Sequence, residues 1–154
     1  MTTTAVHVKE SATVELPRSA DDVFSFMWDP ASSLTLFEAV ETAAVLPGRQ
    51  GIGEIQAFVE RTPAGRIGVL HEVLEFDHGR RAVTRSLVGL CPTWGALTVE
   101  PLGPNACRLT QEFWADLPAG VPAGTDKQLR EGFRQRLQSL VRQLAQPAST
   151  PPSM

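Results

Sequence analysis

The stretch from Thr125 to Ala145 constrains this chain more than any other. Leu129, Phe133, Leu137, Leu140, Val141 and Leu144 recur at spacings of three and four, which draws one apolar stripe along a helix. Lys127, Arg130, Glu131, Arg134, Gln135, Gln138 and Arg142 supply the face that suits water. Thr125 with Gln128 reads as a capping box, and Asp126 places negative charge at the positive end of the helix dipole. Pro122 and Gly124 break the chain before it and Pro147 stops it. At ~1.5 Å per residue such a helix is about 30 Å long. A helix this long and one-sided needs a large apolar partner, and the rest of the chain predicts a sheet.

Upstream the period is two. Val6, Val8, Ala12, Val14 and Leu16 share one face of a strand over 5–16, with His7, Lys9, Ser11, Thr13 and Glu15 on the other. Pro17 and Arg18 end it. Ser19, followed by Asp22 three residues on, opens a short helix through Trp28, and Asp29-Pro30 breaks that helix before a second short one over Ala31 to Phe37. Strand patterns then fill 41–46, 53–61, 66–76, 80–88, 94–100 and 106–114, separated by turns at Pro47-Gly48, Thr62–Gly65, Asp77–Gly79, Gly89–Pro92 and Pro101–Asn105. One strand, two short helices, a run of antiparallel strands and one long helix predict an α+β domain. Its helices lie on one face of a curved antiparallel sheet of about seven strands.

Composition narrows the classes. A chain of 154 residues at 42% hydrophobic can bury one core, so a single domain is expected over 5–146 with flexible tails at 1–4 and 147–154. Net charge is −3 with no basic run, which argues against nucleic acid as a partner. No apolar run approaches the ~18 residues of a membrane span, and the polar start Met1–Thr4 lacks a signal-peptide pattern, so a cytoplasmic protein is expected. The preference for Arg over Lys, the absence of Tyr and the wealth of Ala, Gly and Pro fit a GC-rich bacterial genome. Cys91, Cys107 and the three histidines show no metal-ligand spacing, and no Gly-rich phosphate loop or nucleophile elbow occurs. No metal and no cofactor are expected.

This order of elements resembles the START/polyketide-cyclase (SRPBCC) superfamily, whose helix-grip fold wraps a sheet around a long C-terminal helix. Val14 to Phe24 looks like the family's opening strand running into its first helix. Leu46-Pro47-Gly48 with Gly51-Ile52-Gly53 looks like its second turn, Val73 to Arg81 like its central hairpin, and Val99 to Asn105 like its penultimate one. The resemblance covers about residues 5 to 145 and implies a cavity between sheet and long helix. It carries over no catalytic motif residue by residue, because the family includes cyclases, dehydratases, lipid carriers and ligand receptors.

Given that cavity, facing follows from parity. If Thr62–Gly65 is a tight turn, Arg61 pairs with Arg66, and Ile55, Ala57 and Val59 share an inward face with Leu70, Glu72, Leu74 and Phe76. Crossing the Asp77–Gly79 loop puts Ala82, Thr84, Ser86 and Val88 inward as well, and Cys107, Leu109, Gln111 and Phe113 form the apolar face of the last strand. Glu72 is then the one carboxylate among apolar neighbours, where burial would raise its pKa and fit it for proton transfer. Alternatively it pairs with Thr84, Ser86 or an arginine. Thr84, Ser86 and Gln111 are candidate hydrogen-bonding anchors. Phe37, Ile55, Leu70, Leu74, Trp94, Phe113, Leu129 and Phe133 are candidate apolar walls, and Gly132 would make room for ligand or sheet. By the same parity His71 points outward, and His78 sits at a hairpin tip.

The first functional reading is a cofactor-independent cyclase- or dehydratase-like tailoring enzyme acting on a hydrophobic biosynthetic intermediate. The alternative is a non-catalytic carrier for a lipid, quinone or similar apolar ligand. A third is an interaction domain of the Hsp90-activator type using an outer patch at Phe58, Val69 and Val83. A homodimer is compatible with all three.

Overall fold

A computed structural model describes residues 6–87 and 91–145 of the chain. Val88 and both expected tails lie outside the described residues. Strand β1 (Val6–Leu16) leads into α1 (Ala20–Trp28), a single 3-10 turn (Pro30–Ser32) and α2 (Ser33–Leu36). Strands β2 (Val40–Val45), β3 (Ile55–Thr62), β4 (Gly65–Asp77), β5 (Arg81–Ser86), β6 (Thr93–Gly103) and β7 (Ala106–Leu117) follow, and α3 (Thr125–Ala145) closes the chain. The strands form one antiparallel sheet in the order β1-β7-β6-β5-β4-β3-β2. This is the helix-grip architecture, with α1, α2 and α3 on the concave face.

Local chemistry sets the element ends. The Ser19 hydroxyl accepts the Asp22 backbone N–H at 3.2 Å and starts α1. Asp29 then accepts the Ala31 N–H at 3.0 Å and opens the turn that Pro30 imposes. The expected capping box of α3 does not form. The Thr125 hydroxyl instead donates to the Pro122 carbonyl at 2.6 Å, so the incoming loop rather than Gln128 fixes the helix start.

The core has two parts. Leu16, Val23, Phe24, Leu36, Leu97, Val99, Leu109 and Leu140 pack α1 and the C-terminal half of α3 against the sheet. Val8, Ala115, Leu117 and Phe133 close the other end. Ser139 is buried as well and donates its hydroxyl to the Leu36 carbonyl at 2.7 Å, tying α3 to α2.

One irregularity decides which side chains face α3. The hairpin pairs Arg61 with Arg66, Ala57 with Leu70 and Ile55 with Glu72, as the turn predicts. On the other edge of β4, Phe76 pairs with Ala82 and Val73 with Thr84, but Glu75 pairs with Val83. Two steps along β4 therefore match one along β5, and Leu74 is the extra residue of a β-bulge. Facing inverts across it: Phe76 points inward after the bulge, whereas Val69, His71 and Val73 point inward before it. Strand β3 inverts with its partner, so Gln56, Phe58 and Glu60 face α3. The expected face of β3, and of β4 before the bulge, is corrected, while Phe76 points inward as expected and the pairing of the two strands is as expected.

Candidate ligand site

The concave face and α3 do not pack flush. A deep cavity of about 100 Å³ lies between α1, α2 and the middle of the sheet, walled by Trp28, Phe37, Phe58, Leu97 and Phe113 and edged by Gln56, His71, Thr84, Gln111 and Arg136. A second, of about 300 Å³, opens beside it toward Ile67, Ser86 and Trp94, and shares His71, Thr84, Gly95, Phe113 and Arg136 with the first. A third, of about 730 Å³, runs along α3 past Phe37, Glu60, Gly132 and Phe133. Arg136 borders all three. At Gly95 the sheet has no side chain to fill the space in front of Thr84 and Phe113, which leaves the first two cavities side by side.

Of the residues singled out from the sequence, Thr84, Gln111, Phe37 and Phe113 border the deep cavity. Ser86, Trp94, Leu129 and Phe133 border the second. The Trp94 ring itself stacks on Trp114, 6.3 Å between centroids, so it borders that space from the rim. Glu72, Ile55, Leu70 and Leu74 border none of the three. Glu72 lies on the outer face opposite Arg85, whose Nη2 donates to its carboxylate at 3.3 Å, and its side chain is 32% exposed. Its expected position in the pocket is therefore corrected, and the alternative of an arginine partner is what the structure contains. The expected outer patch is corrected too: Phe58 and Val69 border cavities, and Val83 is only 5% exposed.

The residues that parity turned outward are the ones that give the site its polarity. His71 stands against the Phe58 ring at 5.2 Å. Burial lowers its pKa from 6.5 to about 4, the positive charge of Arg136 acts in the same direction, and Glu60 opposes them. At neutral pH the cavity therefore contains a neutral imidazole, able to accept a proton. Arg136 reaches from α3 across to β3, where Nη1 donates to Glu60 at 2.7 Å. Its guanidinium lies over the rings of Phe37 at 4.9 Å and Phe113 at 5.5 Å. Deeper in, the Gln56 amide donates to the buried carboxylate of Glu54 at 2.8 Å.

Position alone carried a signal for Arg136. It follows Phe133 by three and precedes Leu140 by four, which sets it on the apolar stripe rather than on the wet face. His71 had no such signal, because its facing depends on the bulge. Among the described residues no group of three or more His, Cys, Asp or Glu side chains is placed to hold a metal ion. No described helix is long and apolar enough to cross a membrane.

The model of the family described as polyketide cyclase/dehydrase and lipid transport matches residues 7–148. No curated protein matches the chain. Among solved structures, a START superfamily protein from Mycobacterium smegmatis superposes with a TM-score of 0.69 at 18% identity, over 90% of this chain and 97% of that one. The Zhui aromatase/cyclase from Streptomyces sp. R1128 gives 0.71 at 15% identity, over 90% and 92%. Norcoclaurine synthase from Thalictrum flavum, in complex with dopamine and hydroxybenzaldehyde, gives 0.64 at 15% identity, over 92% and 86%. At these identities the likeness is one of fold.

Proposed function

The chain belongs to the polyketide cyclase/dehydrase and lipid transport family, and from that premise we propose that it binds a hydrophobic, carbonyl-bearing small molecule between sheet and α3 and moves a proton on it. The observation that carries this reading is the neutral His71 imidazole in the cavity wall. The proton-transfer role expected of Glu72 passes to it. In a ring closure, His71 would take a proton from the carbon next to a carbonyl, and the carbanion so formed would attack a second carbonyl carbon of the same molecule. The imidazolium would return the proton to the new alkoxide, leaving His71 neutral again. Thr84 and Gln111 would hold carbonyl oxygens, and the aromatic walls would fold the chain into a reactive shape.

A second reading, a carrier without chemistry, is favoured by the depth of the same pKa shift. A base titrating at about 4 is weak at neutral pH. The two are separable with a small planar test substrate, a nitro-substituted benzisoxazole, in which a base takes the carbon-bound proton as the N–O bond breaks to give a coloured cyanophenolate. The enzyme reading predicts a rate above buffer that is level at neutral pH, falls as pH drops through about 4, survives Glu72→Gln and vanishes in His71→Gln. Binding of the compound with no acceleration, or acceleration that His71→Gln leaves intact, would remove His71 as the base.

A further inference from the structure

We infer that the ligand is an acid: a planar or extended apolar body bearing a carboxylate that docks on Arg136. The inference rests on the cavity between sheet and α3 being the ligand site. Arg136 is the one residue common to the three cavities, and its hydrogen bonding is incomplete. Nη1 is committed to Glu60, while the Nε–H is buried with no acceptor among the described residues. A buried donor left unpaired is costly, and more so when the group is charged.

Nε and Nη2 form the edge of a guanidinium that meets both oxygens of a carboxylate through two parallel hydrogen bonds. Glu60 occupies the other side of the plane's rim, through Nη1. The edge that carries the orphaned donor is thus the edge suited to a second carboxylate. The two aromatic rings over which the guanidinium lies, Phe37 and Phe113, also wall the deep cavity. An apolar body attached to that carboxylate would lie against the same aromatic walls.

Glu60 alone balances Arg136 in the salt bridges of this site, so a ligand acid would share the cation rather than meet a vacant one. That makes the charge of Glu60 a direct competitor and gives the test two arms of opposite sign. The probes are naphthoate and naphthamide, matched in shape and different in charge, titrated calorimetrically against the full chain. The wild type is expected to prefer naphthoate by about ten-fold or more. Arg136→Met should bring the two probes level, and Glu60→Gln should widen the preference. Because Glu60→Gln keeps Arg136, it remains informative if Arg136→Met fails to fold. Equal binding of the two probes by the wild type, or a preference that Glu60→Gln does not widen, would overturn the acid while leaving the cavity reading intact. Binding of neither probe would overturn both.

Discussion

His71 and Arg136 impose costs that the fold must carry. A histidine that titrates near 6.5 when exposed and at about 4 in the fold makes the unfolded chain the better proton acceptor between those values. Its contribution to stability is therefore complete above pH 6.5 and is lost as pH falls through about 4. The difference is roughly 3 kcal/mol. His71→Gln has no such proton to gain, so its urea midpoint should fall less on acidification than that of the wild type. Equal acid sensitivity would mean that the imidazole is not held neutral by burial. Neither residue's role was legible from residue type alone. Glu72 stood out as a lone acid in an alternating pattern, yet it is an ordinary partner of Arg85. Arg136 resembled its charged neighbours in composition and differed from them only in angular position on the helix.

Elements were easier to read than faces. The stripe of α3, the alternation of β1 and the turn at Thr62–Gly65 follow from periodicity and turn chemistry, and the structure reproduces each. The loop expected at Asp77–Gly79 lies one residue later, over His78–Arg80, because Asp77 pairs with Arg81. The bulge at Leu74 does not follow from the sequence pattern, because Val73-Leu74-Glu75 contains neither glycine nor proline to mark it. One unmarked residue exchanged the faces of two strands. Gly132 shows the converse: a conspicuous residue with a modest role. It lies beside the outermost cavity, and a Cβ built there would meet nothing within 4 Å. Gly132→Ala should therefore raise stability by about 1 kcal/mol through helix propensity alone. A destabilised Gly132→Ala in denaturant titration would show that α3 approaches another element more closely than described.

At the scale of the whole molecule the order of elements fixed the architecture, since a long amphipathic helix and a run of strands leave few ways to bury their apolar faces. The site was less legible because it is assembled from distant segments. Its histidine comes from β4, its cation from α3 and its walls from α1, α2, β3, β6 and β7. Only the folded sheet brings them together, and only the bulge turns His71 toward them. NMR of the imidazole nitrogens tests most directly whether a neutral His71 stands inside a ligand cavity. The chain has three histidines: His7 is exposed and paired with Asp116, and His78 packs against Phe24 and Phe76. His71 should titrate at about 4. Added naphthoate should shift the His71 signals and raise that midpoint, as the probe's charge offsets that of Arg136, and leave His7 unaffected. A His71 that titrates near 6.5 and does not respond to either naphthalene probe would show that no neutral imidazole stands in a ligand cavity.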